Sequence, residues 1–158
     1  MRVPVRQRVG VMAAALWWGS LTGLGFVVVP LLFKHLGSPA AAGAMAAKLF
    51  SAQTWLSVSC TMLMLMAFNR PGTAPAPAPA PRLRVLMQLV VAGMLLALLV
   101  EFGVAPHIVS ARIDGGNLKL WHGLGTAMYF LQWLCAGFAL WRLTALSALQ
   151  PPADSAAD

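Results

Sequence analysis

Three stretches of the chain run without a formal charge: 25 residues between Arg8 and Lys34, 21 between Lys48 and Arg70, and 22 between Lys119 and Arg142. Crossing about 30 Å of hydrocarbon takes roughly 20 helical residues at about 1.5 Å each, so each stretch reads as a membrane span. A fourth apolar block, from Val85 to about Ile108, has the same length but holds one ionisable side chain, Glu101. The pattern predicts an all-α, four-span transmembrane helix bundle, with spans at about 10–34, 48–69, 85–108 and 119–142 inside a membrane domain over 9–149. Residues 1–8 form a short cytoplasmic segment before it, and 150–158 a disordered cytoplasmic tail. The first block resembles a secretory signal, yet its apolar run continues through Val27, Val28 and Val29 to Phe33, which is too long for one and makes it a retained span.

The connections carry their own signals. Ser38-Pro39 is an N-cap followed by Pro at the first helical position, so helix 2 begins well before its span and reaches about 30 residues. Asp114-Gly115-Gly116-Asn117 supplies a stop for helix 3 and a cap for helix 4, hence a tight turn. Between helices 2 and 3 the linker 70–84 alternates Pro and Ala from Pro75 to Pro81, a composition for extended polyproline II and a plain cytoplasmic spacer.

Composition agrees with the spans: 59% of the 158 residues are hydrophobic and only 9% charged, and mean hydropathy is +0.76, where soluble domains carry about 25% charge. The net charge of +7 sits between apolar blocks rather than on a basic polar surface, which excludes nucleic acid as a partner. Arg2, Arg6, Arg8, Arg70, Arg82, Arg84 and Arg142 fall on one face of the membrane, and Lys34, Lys48, Arg112 and Lys119 on the other. That imbalance predicts a bacterial inner (plasma) membrane protein, multi-pass, with both termini cytoplasmic. Cys60 and Cys135 stand alone in apolar stretches and read as buried thiols. Trp17, Trp18, Trp55, Trp121 and Trp141 lie toward span ends, as interfacial anchors do, while Trp133 is deeper.

At helical spacing every span shows a small or polar stripe: Ala15, Gly19 and Gly23 in helix 1; Gln53, Ser57, Cys60/Thr61 and Met64 in helix 2; Gly93, Ala97, Glu101 and Ala105 in helix 3; His122, Thr126, Tyr129 and Gln132 in helix 4. Lipid satisfies no polar group, so these stripes are expected to face protein. Met62, Met64 and Met66 fall on different faces and read as filler rather than a soft-metal ladder. Alternating helix direction gathers Glu101, His122, Thr126, Gln53 and Arg112 in the outer half of the membrane, a candidate ligand or cation site or a cluster that fixes the packing. An ionisable residue at span depth costs about 3 kcal/mol on insertion scales and finds a partner or a cavity. His122, with His35 or His107, is a candidate metal or haem ligand, although the sequence does not show that they meet. No Walker loop, dinucleotide fingerprint, HExxH or nucleophile elbow occurs, and Glu101 with His122 is the only conceivable catalytic pair.

Leu16-Trp17-Trp18-Gly19-Ser20 leading through Gly25 to Pro30-Leu31-Leu32-Phe33, the Ala/Gly-rich stretch before Lys48-Leu49-Phe50, Pro106 with Arg112, and Leu120-Trp121-His122-Gly123 resemble the small four-helix membrane proteins related to transmembrane protein 205, a family of unknown function. A more distant likeness is to copper-resistance-D-like proteins and the four-helix haem-binding protoporphyrinogen oxidases of the J type. The latter bind haem through a histidine near the start of helix 1, where this chain has none before His35.

The expectation is therefore a non-enzymatic membrane protein with lipid as its surroundings, no cofactor, and an outer-leaflet polar cluster that either stabilises the bundle or binds a small ligand or cation. A haem- or copper-handling protein or redox enzyme is the alternative, and an oligomeric transporter assembled through Gly19 and Gly23 is a third.

Overall fold

The computed structural model describes residues 5–68 and 81–148, with side chains of the last helix up to Ala145. The segments 1–4, 69–80 and 149–158, which include most of the Pro-Ala linker and the expected tail, lie outside the described residues.

Four long helices account for the described chain: α1 (Val5–His35), α2 (Pro39–Phe68), α3 (Pro81–Asp114) and α4 (Leu118–Ala148). All four are long and apolar enough to cross a membrane. The fold is an all-α four-helix bundle, as the charge-free runs predict. Each helix extends beyond its apolar run. In α2 the extension starts at the expected cap, where Ser38 Oγ accepts the Ala41 N–H at 3.1 Å.

Two tight turns, 36–38 and 115–117, close one end of the bundle, here termed the turn end. At the second, Gly115 adopts φ +73°, a left-handed conformation that ends α3 without steric cost. Asn117 Oδ1 then accepts the Leu120 N–H at 3.0 Å and starts α4.

The helices pack in cyclic order, each against both of its neighbours. The apolar core lies in the half away from the turns, built from Ala13, Ala14, Trp17 and Leu21 of α1, Cys60 and Met64 of α2, Leu86 and Val90 of α3, and Cys135, Ala136, Ala139 and Leu143 of α4. Across its diagonal the Trp17 indole reaches Gly93 with its six-membered ring, so close that a Cβ there would stand 2.4 Å from Cη2. Both cysteines are free and buried, as expected. Met64 is buried while Met62 and Met66 are exposed, which agrees with their assignment to different faces.

Two expectations about α1 are corrected. The face with Gly10, Ala13, Ala14, Trp17 and Leu21 is the buried one, so Ala15 and Gly19 point outward and nothing lies within 4 Å of a Cβ placed on Gly19 or Gly23. Trp17 is not an interfacial anchor but a fully buried core residue. The close approach of backbone and ring occurs at Gly93 of α3, and once Trp17 fills that space the small stripe of α1 is left on the outside. The α2 stripe and the Gly93/Ala97 part of the α3 stripe do face inward.

Neither odd-numbered helix is α-helical throughout. A π turn occupies Leu24–Val28 in α1 and another Leu99–Val104 in α3. Each precedes a proline, Pro30 or Pro106, that cannot donate to the ladder.

Candidate functional site

Midway along the bundle four polar side chains from three helices form a closed layer. Ser57 Oγ of α2 donates to the Gln53 carbonyl at 2.9 Å and accepts from Gln53 Nε2 at 3.3 Å and from Gln132 Nε2 of α4 at 3.1 Å. Gln53 Nε2 also reaches Ser20 Oγ of α1 at 2.9 Å, and that hydroxyl donates to the Trp17 carbonyl at 3.0 Å. A hydroxyl has one donor and two acceptor positions, and Ser57 uses all three. Gln53, Ser57 and Gln132 are buried, so these bonds supply partners that lipid would not, and they tie α1, α2 and α4 together.

Toward the turn end the α1 π turn is bridged from α4. Tyr129 Oη donates to the Leu21 carbonyl at 2.8 Å, and the Gly25 backbone N–H faces the Tyr129 Oη. The phenol thus sits within the helical ladder at the position where the π turn opens it. Phe50 of α2 packs edge-on against the Tyr129 ring at 5.2 Å. Trp133 Nε1 donates to Thr22 Oγ1 at 2.9 Å, closing the α1/α4 seam.

Glu101 lies within the α3 π turn at the seam between α2 and α3. Its Oε1 accepts the Ser51 hydroxyl at 2.6 Å. No cation among the described residues comes within ion-pairing distance of it. Glu101 is 13 residues from the end of α3 at Asp114, which is roughly 20 Å along a helix of 34 residues. A 30 Å hydrocarbon layer centred on such a helix contains that depth. Next along the same two helices, Trp55 of α2 and Phe102 of α3 meet edge to face, with ring centroids 6.4 Å apart.

At the turn end, Arg112 covers the backbone of Gly43 on α2, where a Cβ would stand 2.8 Å from Nη2. Its side chain is otherwise exposed, as are Lys34, Lys48 and Lys119. His107 stacks on Trp121 with centroids 4.1 Å apart, and its Nδ1 lies 2.7 Å from the Gly103 carbonyl, so Nδ1 carries the proton. His122 and Thr126 are exposed on the outward face of α4, and the Thr126 hydroxyl donates to the His122 carbonyl at 2.8 Å.

Glu101, His122, Thr126, Gln53 and Arg112 are thus distributed over separate places: Gln53 in the central layer, Glu101 at the α2/α3 seam, Arg112 at the turn end, and His122 with Thr126 on an outer face. Of the α4 stripe only Tyr129 and Gln132 turn inward, which corrects that expectation for its first half. His35 is likewise exposed, and among the described residues no three His, Cys, Asp or Glu side chains lie close enough to hold a metal ion. The residue that sequence reasoning missed is Ser51, the one hydrogen-bond partner of the intramembrane carboxylate among the described residues. It lies two positions from Gln53, hence off the polar stripe of α2, and only the rotation of α2 against α3 reveals it.

No curated protein and no solved structure matches the chain. A family model, described as a domain of unknown function (DUF4149), matches residues 12–117, from within α1 to the turn that precedes α4. That covers about two thirds of the sequence, and the chain, a four-helix membrane protein by its architecture, belongs to the DUF4149 family.

Proposed function

We propose that this protein is a non-enzymatic, multi-pass protein of the bacterial inner membrane, both termini cytoplasmic, which binds a small cation at Glu101 with Ser51 as the supporting ligand. The observation that carries this reading is the contact of Glu101 Oε1 with Ser51 Oγ at 2.6 Å, made at membrane depth with no cationic side chain of the described residues within ion-pairing distance. A carboxylate there is costly, and a counter-charge from outside the chain is the compensation that the described residues do not supply. The seven-to-four division of Lys and Arg supports the orientation, which puts the turn end outside. The central Gln53–Ser57–Gln132 layer is structural in this reading, since both amide nitrogens donate to hydroxyls within the bundle.

The test is the reactivity of Glu101 toward dicyclohexylcarbodiimide, an apolar reagent that modifies carboxyl groups reachable from lipid. Membranes are treated, and the site of modification is mapped by mass spectrometry. Modification of Glu101 that is slowed by added cations and absent in Glu101→Gln is the expected result. A Glu101 that stays unmodified, or that reacts at the same rate with or without cations, would overturn the assignment.

A further inference from the structure

We infer that the cation taken by the α2/α3 seam is a lipophilic organic cation, bound between the Glu101 carboxylate and the rings of Trp55 and Phe102 and entering from the bilayer. The inference rests on the cation-binding reading of Glu101 and names its ligand class.

Ligand count decides first. Hard metal ions require about six or more oxygens, whereas the seam offers the Glu101 carboxylate and the Ser51 hydroxyl. No group of three His, Cys, Asp or Glu stands anywhere among the described residues to complete such a shell. Glu101 Oε1 is engaged by Ser51, and Oε2 has no hydrogen-bond partner among the described residues, which leaves a single negative charge open on one side.

Two aromatic rings neighbour the Ser51–Glu101 pair along the seam. Ser51 and Trp55 are four residues apart and share a face of α2, while Phe102 follows Glu101 directly on α3. Trp55 and Phe102 meet edge to face, with an interplanar angle of 78°. Both side chains are strongly exposed, Trp55 at 55% and Phe102 at 65%, and at this depth exposure means contact with acyl chains rather than water. Indole is the best cation–π donor among side chains, and its attraction grows when the cation is desolvated. A delocalised, weakly hydrated cation already partitioned into lipid meets one carboxylate and two rings there without first shedding a tight water shell, a cost that a small inorganic ion would bear in full.

Among the described residues no other charge is paired with the position. Lys48 lies three residues from Ser51 on α2 and is exposed, His107 on α3 is committed to the Gly103 carbonyl and to Trp121, and Arg112 lies over Gly43. The half of α4 that packs near the π turn contributes Tyr129, whose hydroxyl is bonded to α1.

The experiment is equilibrium binding of radiolabelled tetraphenylphosphonium to the detergent-purified full chain, together with its effect on carbodiimide modification of Glu101 in membranes. Expected are saturable binding, protection of Glu101, a loss of at least about tenfold in affinity for Glu101→Gln, and a loss of about 3- to 30-fold for Trp55→Ala. Glu101→Gln keeps an oxygen for Ser51 and Trp55 faces lipid, so both variants should fold, which circular dichroism and size exclusion verify. Binding that survives in Glu101→Gln would be micelle partitioning and would overturn the inference. Glu101 modification slowed by sodium or magnesium but untouched by tetraphenylphosphonium would overturn the organic-cation assignment while leaving cation binding at Glu101 in place. An unreactive Glu101 would remove both.

Discussion

Gly93→Ala tests the diagonal contact that sets how closely α1 and α3 approach. The added Cβ would stand 2.4 Å from Trp17 Cη2, 2.6 Å from Cζ2 and 3.4 Å from the Cys135 Cβ. Apolar carbons rest at about 3.5–4.0 Å, so roughly an ångström of separation has to be recovered at the indole. Trp17 is fully buried among Ala13, Ala14 and Leu21 on its own helix, and a rigid bicyclic ring has no alternative rotamer within that space. Overpacking of this kind costs about 1–3 kcal/mol, against which Gly→Ala in a helix interior returns about 0.5–1 kcal/mol. The net expectation is a destabilisation of about 0.5–2 kcal/mol. Trp17→Phe removes the two clashing carbons and also the indole N–H, which is buried and has no hydrogen-bond partner. The double variant Gly93→Ala/Trp17→Phe should therefore be more stable than the sum of the single changes by about 1 kcal/mol. Unfolding by SDS in mixed micelles, followed by far-ultraviolet circular dichroism, measures all four proteins. Gly93→Ala unfolding at the wild-type SDS fraction, or strictly additive variants, would refute the contact as the determinant of the spacing.

Three further outcomes follow from the polar and thiol groups. Ser57→Ala deprives both Gln53 and Gln132 of an amide acceptor in a buried layer and should cost about 1–2 kcal/mol in the same titration, more than the roughly 0.6 kcal/mol typical of one interhelical bond; an unchanged midpoint would contradict the network. Tyr129→Phe leaves the Leu21 carbonyl without its α4 donor, with an expected loss of about 1 kcal/mol and faster amide hydrogen exchange confined to the α1 π turn; unaltered exchange there would show that the phenol does not hold it. Cys60, 2% exposed, and Cys135, 8% exposed, should resist maleimide in mild detergent and react fully in SDS, and rapid labelling of the native protein would be inconsistent with their burial.

Much of the architecture was legible because a bilayer imposes it. Arg8, Lys34, Lys48, Lys119 and Arg142 mark the charge-free runs, and Ser38-Pro39 and Asp114–Asn117 announce the two tight turns through capping chemistry that the helices then use. The rotation of each helix was less legible. A soluble helix betrays its inner face by polarity, whereas α1 is apolar on both sides, and Ala15, Gly19 and Gly23 look equally suited to either. In α2, where Gln53, Ser57 and Thr61 break that uniformity, the inward face was evident. Glu101 stands out as an intramembrane carboxylate from composition alone, but Ser51 required the register of α2 against α3. Pro30 and Pro106 were visible signals for the π turns, since each removes a ladder donor two residues beyond the turn.

Those π turns also determine where the chain tolerates changes in its length. A helix that gains or loses one residue rotates everything beyond that point by about 100°, since 3.6 residues make a turn. Along α2 and α4, α-helical throughout their described lengths, a single deletion would swing Gln53 or Gln132 out of the central layer. In α1 the segment Leu24–Val28 already holds a wider loop of backbone, and everything past it, from Val29 to His35, lacks a buried residue. Removing one residue there would regularise the helix and turn only a lipid-facing stub. One-residue gaps between members of this family are thus expected to collect in the last third of the first helix, next to the turn.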